Sequence, residues 1–136
     1  MTPRGIRNNN PGNIRISAQK YAGEIVPSND RAFKQFRSMA YGIRAIFVIL
    51  KTYQIRYGLR TVAQMIGRWA PPSENDTRAY SASVAKAAGR APDDVVDAER
   101  PDDMIPFVRG MIRVENGQDV DESDITEGWK LFRELQ

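Results

Sequence analysis

Hydrophobic residues recur at helical spacing after residue 38, whereas the first 38 residues lack such a period. The apolar positions of the first periodic segment are Ile43, Ile46, Phe47, Leu50, Tyr53 and Tyr57. Because residues three or four apart share one face of a helix, this segment is predicted to form an amphipathic helix. Gly58 follows the last of these positions and is typical of a helix C-terminus.

Capping signals divide the next part of the chain into a second and a third helix. Thr61 and Gln64 have the spacing of a capping box, which predicts the start of the second helix. The prolines at 71–72 are expected to break that helix. Asp76 or Thr77 is then the predicted cap of the third helix.

Two further helices are predicted near the C-terminus. The fourth is expected to start at Asp102 or Asp103, with Pro106 in its first turn, where a missing N–H costs little. Its predicted end is at Gly117. Asp124 precedes a glutamate by three residues and predicts the cap of a short last helix.

The first 38 residues predict a small lobe of loops and short strands. Residues 8–13 are rich in Asn, Pro and Gly, which favours tight turns. Residues 14–16 alternate in polarity as a short strand does, and Phe33 and Phe36 flank a second extended piece. This lobe is therefore expected to carry a hairpin.

Length and composition narrow both the fold and the chemistry. A chain of 136 residues is long enough for one core, so we expect a single mainly α (α+β) domain with a β/loop lobe at 1–38 and a helical lobe at 39–136. The absence of Cys and His excludes disulfides, thiolate zinc sites, Ser-His-Asp triads and imidazole bases. Carboxylates are then the expected proton carriers of any enzyme, with no metal and no cofactor.

Charge and hydropathy indicate the surroundings of the protein. A net charge of +3 favours an anionic partner such as nucleic acid, an anionic membrane or the bacterial cell wall, although an ordinary solvated surface has the same balance. Residues 1–5 contain no apolar signal segment, and the longest apolar run, residues 45–50, is too short to cross a bilayer. We expect a chain made in the cytoplasm without a signal peptide and not inserted into a membrane.

Glu115 is the first candidate for chemistry. It continues the apolar stripe of the fourth helix, which runs through Ile105, Val108 and Ile112. An apolar setting disfavours an ionised carboxylate, and a general acid has to hold its proton near neutral pH. The alternative is a glutamate that simply leaves the core at a helix end.

Residues 69–77 join two helices and combine an aromatic ring, two prolines and several polar side chains. Trp69 offers a flat face for a sugar ring, and Glu74 and Asn75 offer hydrogen bonds. Tyr80 follows on the next helix. This combination favours the wall of a glycan-binding groove, and the alternative is a proline-stiffened connector with Trp69 in the core.

The N-terminal lobe offers a second set of polar candidates. Asn10 and Asn13 are expected to place amides against acetamido or hydroxyl groups of a ligand, unless they serve only the turn. Glu24 and Asp30 are candidates for a second catalytic carboxylate, with ordinary loop acids as the alternative.

Five segments together resemble a group of small phage and prophage proteins that are commonly labelled virion structural protein or lysozyme-like. These segments are residues 4–15, 33–36, 42–45, 69–77 with Tyr80, and 115–117. The resemblance extends over nearly the whole chain and implies a lysozyme-like helical domain with a small N-terminal lobe.

A second similarity bears on mechanism. Residues 9–14 resemble the Asn-rich turn of autolysin-type glucosaminidases, and residues 69–71 with Tyr80 resemble their Tyr-Ala motif. The helix end at 111–117 resembles the Glu-bearing helix of lysozymes and lytic transglycosylases, but it closes the chain instead of opening it. This order implies a circularly permuted lysozyme-like domain, which is reasonable because domain termini often lie close together.

The resemblance implies an enzyme that cleaves the glycan strands of peptidoglycan as a muramidase, a glucosaminidase or a lytic transglycosylase. Glu115 would protonate the glycosidic oxygen, and Glu24 or Asp30 would activate water from the opposite side. If neither carboxylate reaches, the C6 hydroxyl of the substrate would attack instead. The substrate-binding residues implied for the groove are Asn10, Asn13, Trp69, Glu74, Asn75 and Tyr80.

Two alternatives are open at this point. A non-catalytic phage virion protein would keep the fold and bind glycan without cutting it. A nucleic-acid-binding domain would use the arginines, but these are spread along the chain, so no nucleic-acid partner is expected. The expected partners are bacterial peptidoglycan and other virion proteins. The expected places of action are the periplasm and cell wall after release, as for an endolysin, or the virion itself.

Overall fold

The computed structural model describes residues 2–135 and shows a mainly helical chain. The six helices in these residues are α1 (Arg4–Arg7), α2 (Met39–Tyr57), α3 (Val62–Trp69), α4 (Thr77–Ala87), α5 (Pro101–Asn116) and α6 (Glu122–Glu134). None of these helices is both long enough and apolar enough to cross a lipid bilayer.

Helix α2 lies in the core and packs most extensively on α6. Its residues Ile43 and Phe47 are fully buried. A methyl group on Gly128 of α6 would lie 2.7 Å from Ile43, so the two helices approach closely at this point. The ring centres of Phe47 and Trp129 lie 5.0 Å apart in a T-shaped arrangement, which adds an aromatic contact to the same interface.

Helices α4 and α5 form the other extensive helix pair. The buried face of α5 includes Met104, Val108 and Met111. Gly110 faces Val84 of α4, and the absence of a side chain at this glycine allows the two backbones to come close. This face continues toward the C-terminal end of α5, where Glu115 lies.

Several predicted helix boundaries are confirmed. Gly58 and Gly117 end α2 and α5 in the left-handed conformation, with φ of 64° and 69°. Thr61 and Gln64 form the predicted capping box of α3. Asp76 caps α4 and accepts a hydrogen bond from the N–H of Ala79 at the third position of the helix. These boundaries can be predicted from the sequence because each depends on a residue type that acts on its own stretch of backbone, either through a side-chain cap or through a left-handed φ angle.

The predicted starts of the last two helices are wrong. Helix α5 begins at Pro101, before either predicted cap, so Pro106 lies in the second turn and not in the first. Helix α6 begins at Glu122, with Asp121 as the flanking residue. Neither start has a side-chain cap hydrogen bond. The sequence does carry start signals at these positions, since Pro101 is the first residue of α5 and Asp121 directly precedes α6, but neighbouring aspartates compete with them as caps.

The N-terminal part differs from the expected β lobe. Among the described residues it contains two isolated antiparallel bridges, Arg15 to Phe33 and Glu24 to Phe36, and no extended strands. It also contains the short helix α1, which the sequence did not predict. A hairpin is therefore not formed, and this segment is a loop region held by specific side chains.

The Asn-rich turn is fixed against two helices. A methyl group on Gly42 of α2 would overlap the carbonyl oxygen of Asn9, so the turn lies directly on this glycine. At the end of α5, Asn116 donates a hydrogen bond from Nδ2 to the carbonyl oxygen of Pro11 at 2.8 Å. The turn is thereby placed beside Glu115.

Candidate functional site

Glu115 lies in the last turn of α5, between the Asn-rich turn and the C-terminal end of α3. Its side chain is half-buried, so one part of the carboxylate contacts protein and the rest faces a cleft. The helix ends one residue later at Asn116, and Gly117 is its C-cap. The carboxylate is therefore carried by a regular helix, not by a loop.

Three side-chain donors hold the Glu115 carboxylate. Tyr80 donates from its hydroxyl to Oε2 at 2.7 Å, and Trp69 donates from Nε1 to the same oxygen at 3.3 Å. Asn13 donates from Nδ2 to Oε1 at 3.0 Å. The structure therefore brings together four of the residues that the sequence predicted, although they are far apart along the chain.

Tyr80 is a permanent donor in this arrangement. Its side chain is buried on α4, and burial together with the nearby negative charge of Glu115 raises the pKa of Tyr80 well above its ordinary value of 10. A phenol with such a pKa stays protonated at any physiological pH. Tyr80 is consequently a hydrogen-bond donor to the Glu115 carboxylate.

Asn13 reaches Glu115 because of its backbone conformation. Its φ is 50°, in the left-handed region that asparagine tolerates better than most residues. Asn10 has a different role, since it is fully buried and its amide bonds to backbone groups of Ile14 and Lys34. The structure thus directs Asn13 to the site and uses Asn10 inside the turn, away from any ligand.

A cleft of about 470 Å³ opens in front of Glu115. Its walls include Trp69, Glu74 and Asn75, all of which the sequence had predicted to line a groove. A second depression of about 320 Å³ is also lined by Glu115, and Tyr80 forms part of its wall. Glu115 and Asn75 belong to both, so the carboxylate lies on a wall that the two depressions share.

The structure does not bring Glu24 to this cleft. Its carboxylate binds Lys34, with Nζ at 3.1 Å from Oε1 and 3.0 Å from Oε2. Both side chains are almost completely buried, at 4% and 0% exposure. A carboxylate enclosed with its own cation holds the N-terminal loops together and has no access to a polymer.

Asp30 is also engaged away from the cleft. It accepts two hydrogen bonds from the Arg4 guanidinium, at 2.6 Å and 2.7 Å. Arg4 and the backbone N–H groups of Ala32 and Phe33 hold the pKa of Asp30 far below its ordinary value of 3.8. Asp30 therefore connects α1 to the loop that precedes Phe33.

Four further residues line the cleft, although they are not among the site residues predicted from the sequence. These are Arg15, Phe33, Tyr53 and Arg68. Local patterns place Phe33 beside an extended piece and Tyr53 on the apolar face of a helix, but they do not show that these residues meet, because the residues come from loops, from α2 and from α3. Between residues 2 and 135 there is no cluster of three His, Cys, Asp or Glu side chains that would hold a metal ion.

Comparison with known proteins gives one informative similarity. The chain is 39% identical over 118 residues to Protein P5 of Pseudoalteromonas phage PM2. The matched region is 84% of this chain and 71% of the phage protein. No protein-family model matches the chain. Identity at this level over most of both chains is sufficient to establish common family membership.

Proposed function

The chain belongs to the family of Protein P5 of Pseudoalteromonas phage PM2, and we propose that it cleaves the glycan strands of peptidoglycan with Glu115 as general acid. The observation that carries this proposal is the Glu115 carboxylate, bound by Asn13, Trp69 and Tyr80 on the wall that two depressions share. An acid that lines two adjoining depressions suits a polymer cut within its length.

The hydrogen bonds assign separate tasks to the two carboxylate oxygens. Oε2 accepts from both Tyr80 and Trp69, whereas Oε1 accepts only from Asn13. In the protonated acid, Oε1 is therefore the oxygen with room to carry the proton toward a ligand. Transfer of that proton to the bridging oxygen breaks the bond from this oxygen to C1, and positive charge develops on the sugar ring.

Two routes complete the reaction. In one, the C6 hydroxyl of the same sugar attacks C1 and gives its proton to the Glu115 carboxylate, which yields an anhydro sugar. In the other, water attacks C1, and a carboxylate takes one of its protons. Glu24 and Asp30 are engaged elsewhere, so Glu74 is the second carboxylate available among the described cleft residues.

The fold that we propose is lysozyme-like with a permuted order of elements. In support, the Glu-bearing helix α5 lies against α4, α6 and α1, and its C-terminal end meets the Asn-rich turn. The relative is a phage protein, and the site of action that goes with the proposed activity is the host cell wall, either from the virion or late in infection. Peptidoglycan and other virion proteins are the proposed partners.

Digestion of purified peptidoglycan, followed by mass spectrometry of the products, tests this function. Cleavage by water gives reducing-end sugars, whereas C6 attack gives products lighter by one water. A Glu74→Gln variant should slow cleavage by water and leave cleavage by C6 attack unchanged. Intact glycan strands after incubation with walls of several bacterial types would contradict the proposal.

One observation favours a second candidate function. The Glu115 carboxylate accepts hydrogen bonds from three side chains. A carboxylate with a purely structural role at a helix end would be bound in the same way. A non-catalytic glycan-binding virion protein would have the same groove. It would sediment with cell walls and release no soluble fragments.

A further inference from the structure

Two arginines line the Glu115 cleft without a carboxylate partner. Arg15 and Arg68 both contribute to its wall, and neither forms an ion pair with any residue between 2 and 135. Other arginines of the same chain do form such pairs, for example Arg4 with Asp30 and Arg90 with Asp103. Among residues 2–135, the guanidinium N–H donors of these two arginines are not used in an ion pair or a hydrogen bond.

Both arginines are exposed, and their guanidinium groups lie over aromatic rings. The guanidinium carbon of Arg68 lies 3.7 Å from the ring centre of Tyr57 and 5.5 Å from that of Tyr53. The guanidinium carbon of Arg15 lies 5.1 Å from the ring centre of Phe33. Contact with an aromatic face fixes the position of a guanidinium and leaves its N–H edge free to bind a planar anion.

The acids of the cleft do not neutralise these arginines. Glu115 accepts its hydrogen bonds from Asn13, Trp69 and Tyr80, and Glu74 is exposed on the connector between α3 and α4. Neither carboxylate forms an ion pair with Arg15 or Arg68. A guanidinium group can donate two parallel hydrogen bonds to a carboxylate. The two cleft arginines are therefore suited to bind carboxylates of a ligand.

We propose that Arg15 and Arg68 bind carboxylates of the substrate, so that the groove selects glycan carrying acidic peptide substituents over neutral glycan. This inference rests on the proposed function and specifies the substrate class. Peptide stems supply carboxylates along the strand, whereas an unsubstituted polymer of N-acetylated sugars has none. The two arginines would bind the substrate in the same cleft as Glu115 and would take no part in breaking the glycosidic bond.

Binding to intact cell-wall sacculi tests the inference without requiring cleavage. The Glu115→Gln protein is sedimented with native sacculi and with sacculi whose carboxylates have been converted to amides. We expect the apparent Kd of this protein to be roughly 10-fold higher, or more, for the amidated sacculi. Adding Arg15→Gln and Arg68→Gln should weaken binding to native sacculi by a similar factor and leave binding to amidated sacculi unchanged.

Arg37→Gln is the matched control. Arg37 also stacks on a tyrosine, with its guanidinium carbon 4.4 Å from the ring centre of Tyr41, and it forms no ion pair with an acid in the described part of the chain. It is not among the cleft residues. Its substitution removes the same charge and should leave binding to native sacculi unchanged.

The outcomes separate this inference from the proposed function. Equal binding to native and amidated sacculi, or an equal loss with Arg37→Gln, would overturn the inference and leave glycan cleavage untouched. Failure of the Glu115→Gln protein to bind native sacculi would also overturn it. In the protein that keeps Glu115, Arg15→Gln and Arg68→Gln together should raise KM for native peptidoglycan and leave kcat unchanged. An unchanged KM would count against the inference. If both arginines prove to bind sacculi but no glycosidic bond is cut, the inference stands and the cleavage proposal fails.

Discussion

Tyr80 makes the shortest side-chain contact with the candidate acid, at 2.7 Å from its hydroxyl to Oε2 of Glu115. Tyr80→Phe deletes only this donor and keeps the buried ring. A hydrogen bond to a charged group contributes roughly 1.5–3 kcal/mol, so glycan cleavage should fall by about 10-fold or more. Rates on labelled peptidoglycan, together with thermal unfolding, would measure this change.

The control for Tyr80 is Tyr21→Phe, which removes a hydroxyl from the N-terminal loops, outside the described cleft. This variant should keep the parental rate. If Tyr80→Phe kept full activity as well, the hydrogen bond would have no role in orienting the acid.

The site could be predicted from sequence only where a residue type itself indicates chemistry. Glu115, Trp69 and Tyr80 were predicted because an acid in line with an apolar stripe and an aromatic connector are local patterns. The positions of Glu24 and Asp30 were not predictable, since nothing local shows that Lys34 or Arg4 would bind them. Their ion pairs depend on how the N-terminal loops fold back over themselves.

Helix ends were predictable wherever a capping residue acts on its own backbone. The capping box at Thr61 and the left-handed glycines at 58 and 117 are such cases. Helix α1 was missed because it has only four residues and its position depends on tertiary contacts. One of these is at Gly5, where a side chain would collide with Asn116 at the end of α5.

The contact of the Asn-rich turn with α2 predicts the effect of adding a methyl group at Gly42. Gly42→Ala would drive this methyl into the carbonyl oxygen of Asn9, so the turn and the helix must separate. We expect the free energy of unfolding to fall by roughly 3 kcal/mol or more, as measured by urea denaturation.

Gly67→Ala is the matched substitution. Gly67 lies within α3, and a methyl group there would meet no atom within 4 Å. Replacement of an unconstrained helical glycine by alanine should stabilise the protein by about 0.5–1 kcal/mol. Equal effects at the two positions would show that the turn does not lie on Gly42.

At the scale of the whole molecule, the N-terminal loops are held by charged pairs and by contacts to the helices. Asp30 is central to them, because it binds Arg4, Asn8 and the backbone at 32–33. These contacts lower the pKa of Asp30 below its value in the unfolded chain. Their stabilisation is therefore present at neutral pH and is lost as the pH falls below about 4, where the unfolded carboxyl becomes protonated.

Asp30→Asn should consequently be less stable than the parent at pH 7, and the difference should shrink progressively below about pH 4. Thermal unfolding of both proteins from pH 2 to pH 8 would measure it. Asp93→Asn, at an exposed acid, serves as the control and should follow the parental curve. A stability difference for Asp30→Asn that does not vary with pH would show that the ion pair does not contribute through its charge.

Glu115→Gln gives the most direct test of glycan cleavage by general acid catalysis. The amide keeps the shape of the side chain but has no proton to donate, and such catalysis typically contributes on the order of 10²–10⁴-fold. Dye release from labelled peptidoglycan should therefore fall by that factor in a protein that is still folded and still binds cell walls. Glu127→Gln, on the exposed side of α6, should release dye at the parental rate. Parental dye release by Glu115→Gln would contradict the assignment of Glu115 as the acid.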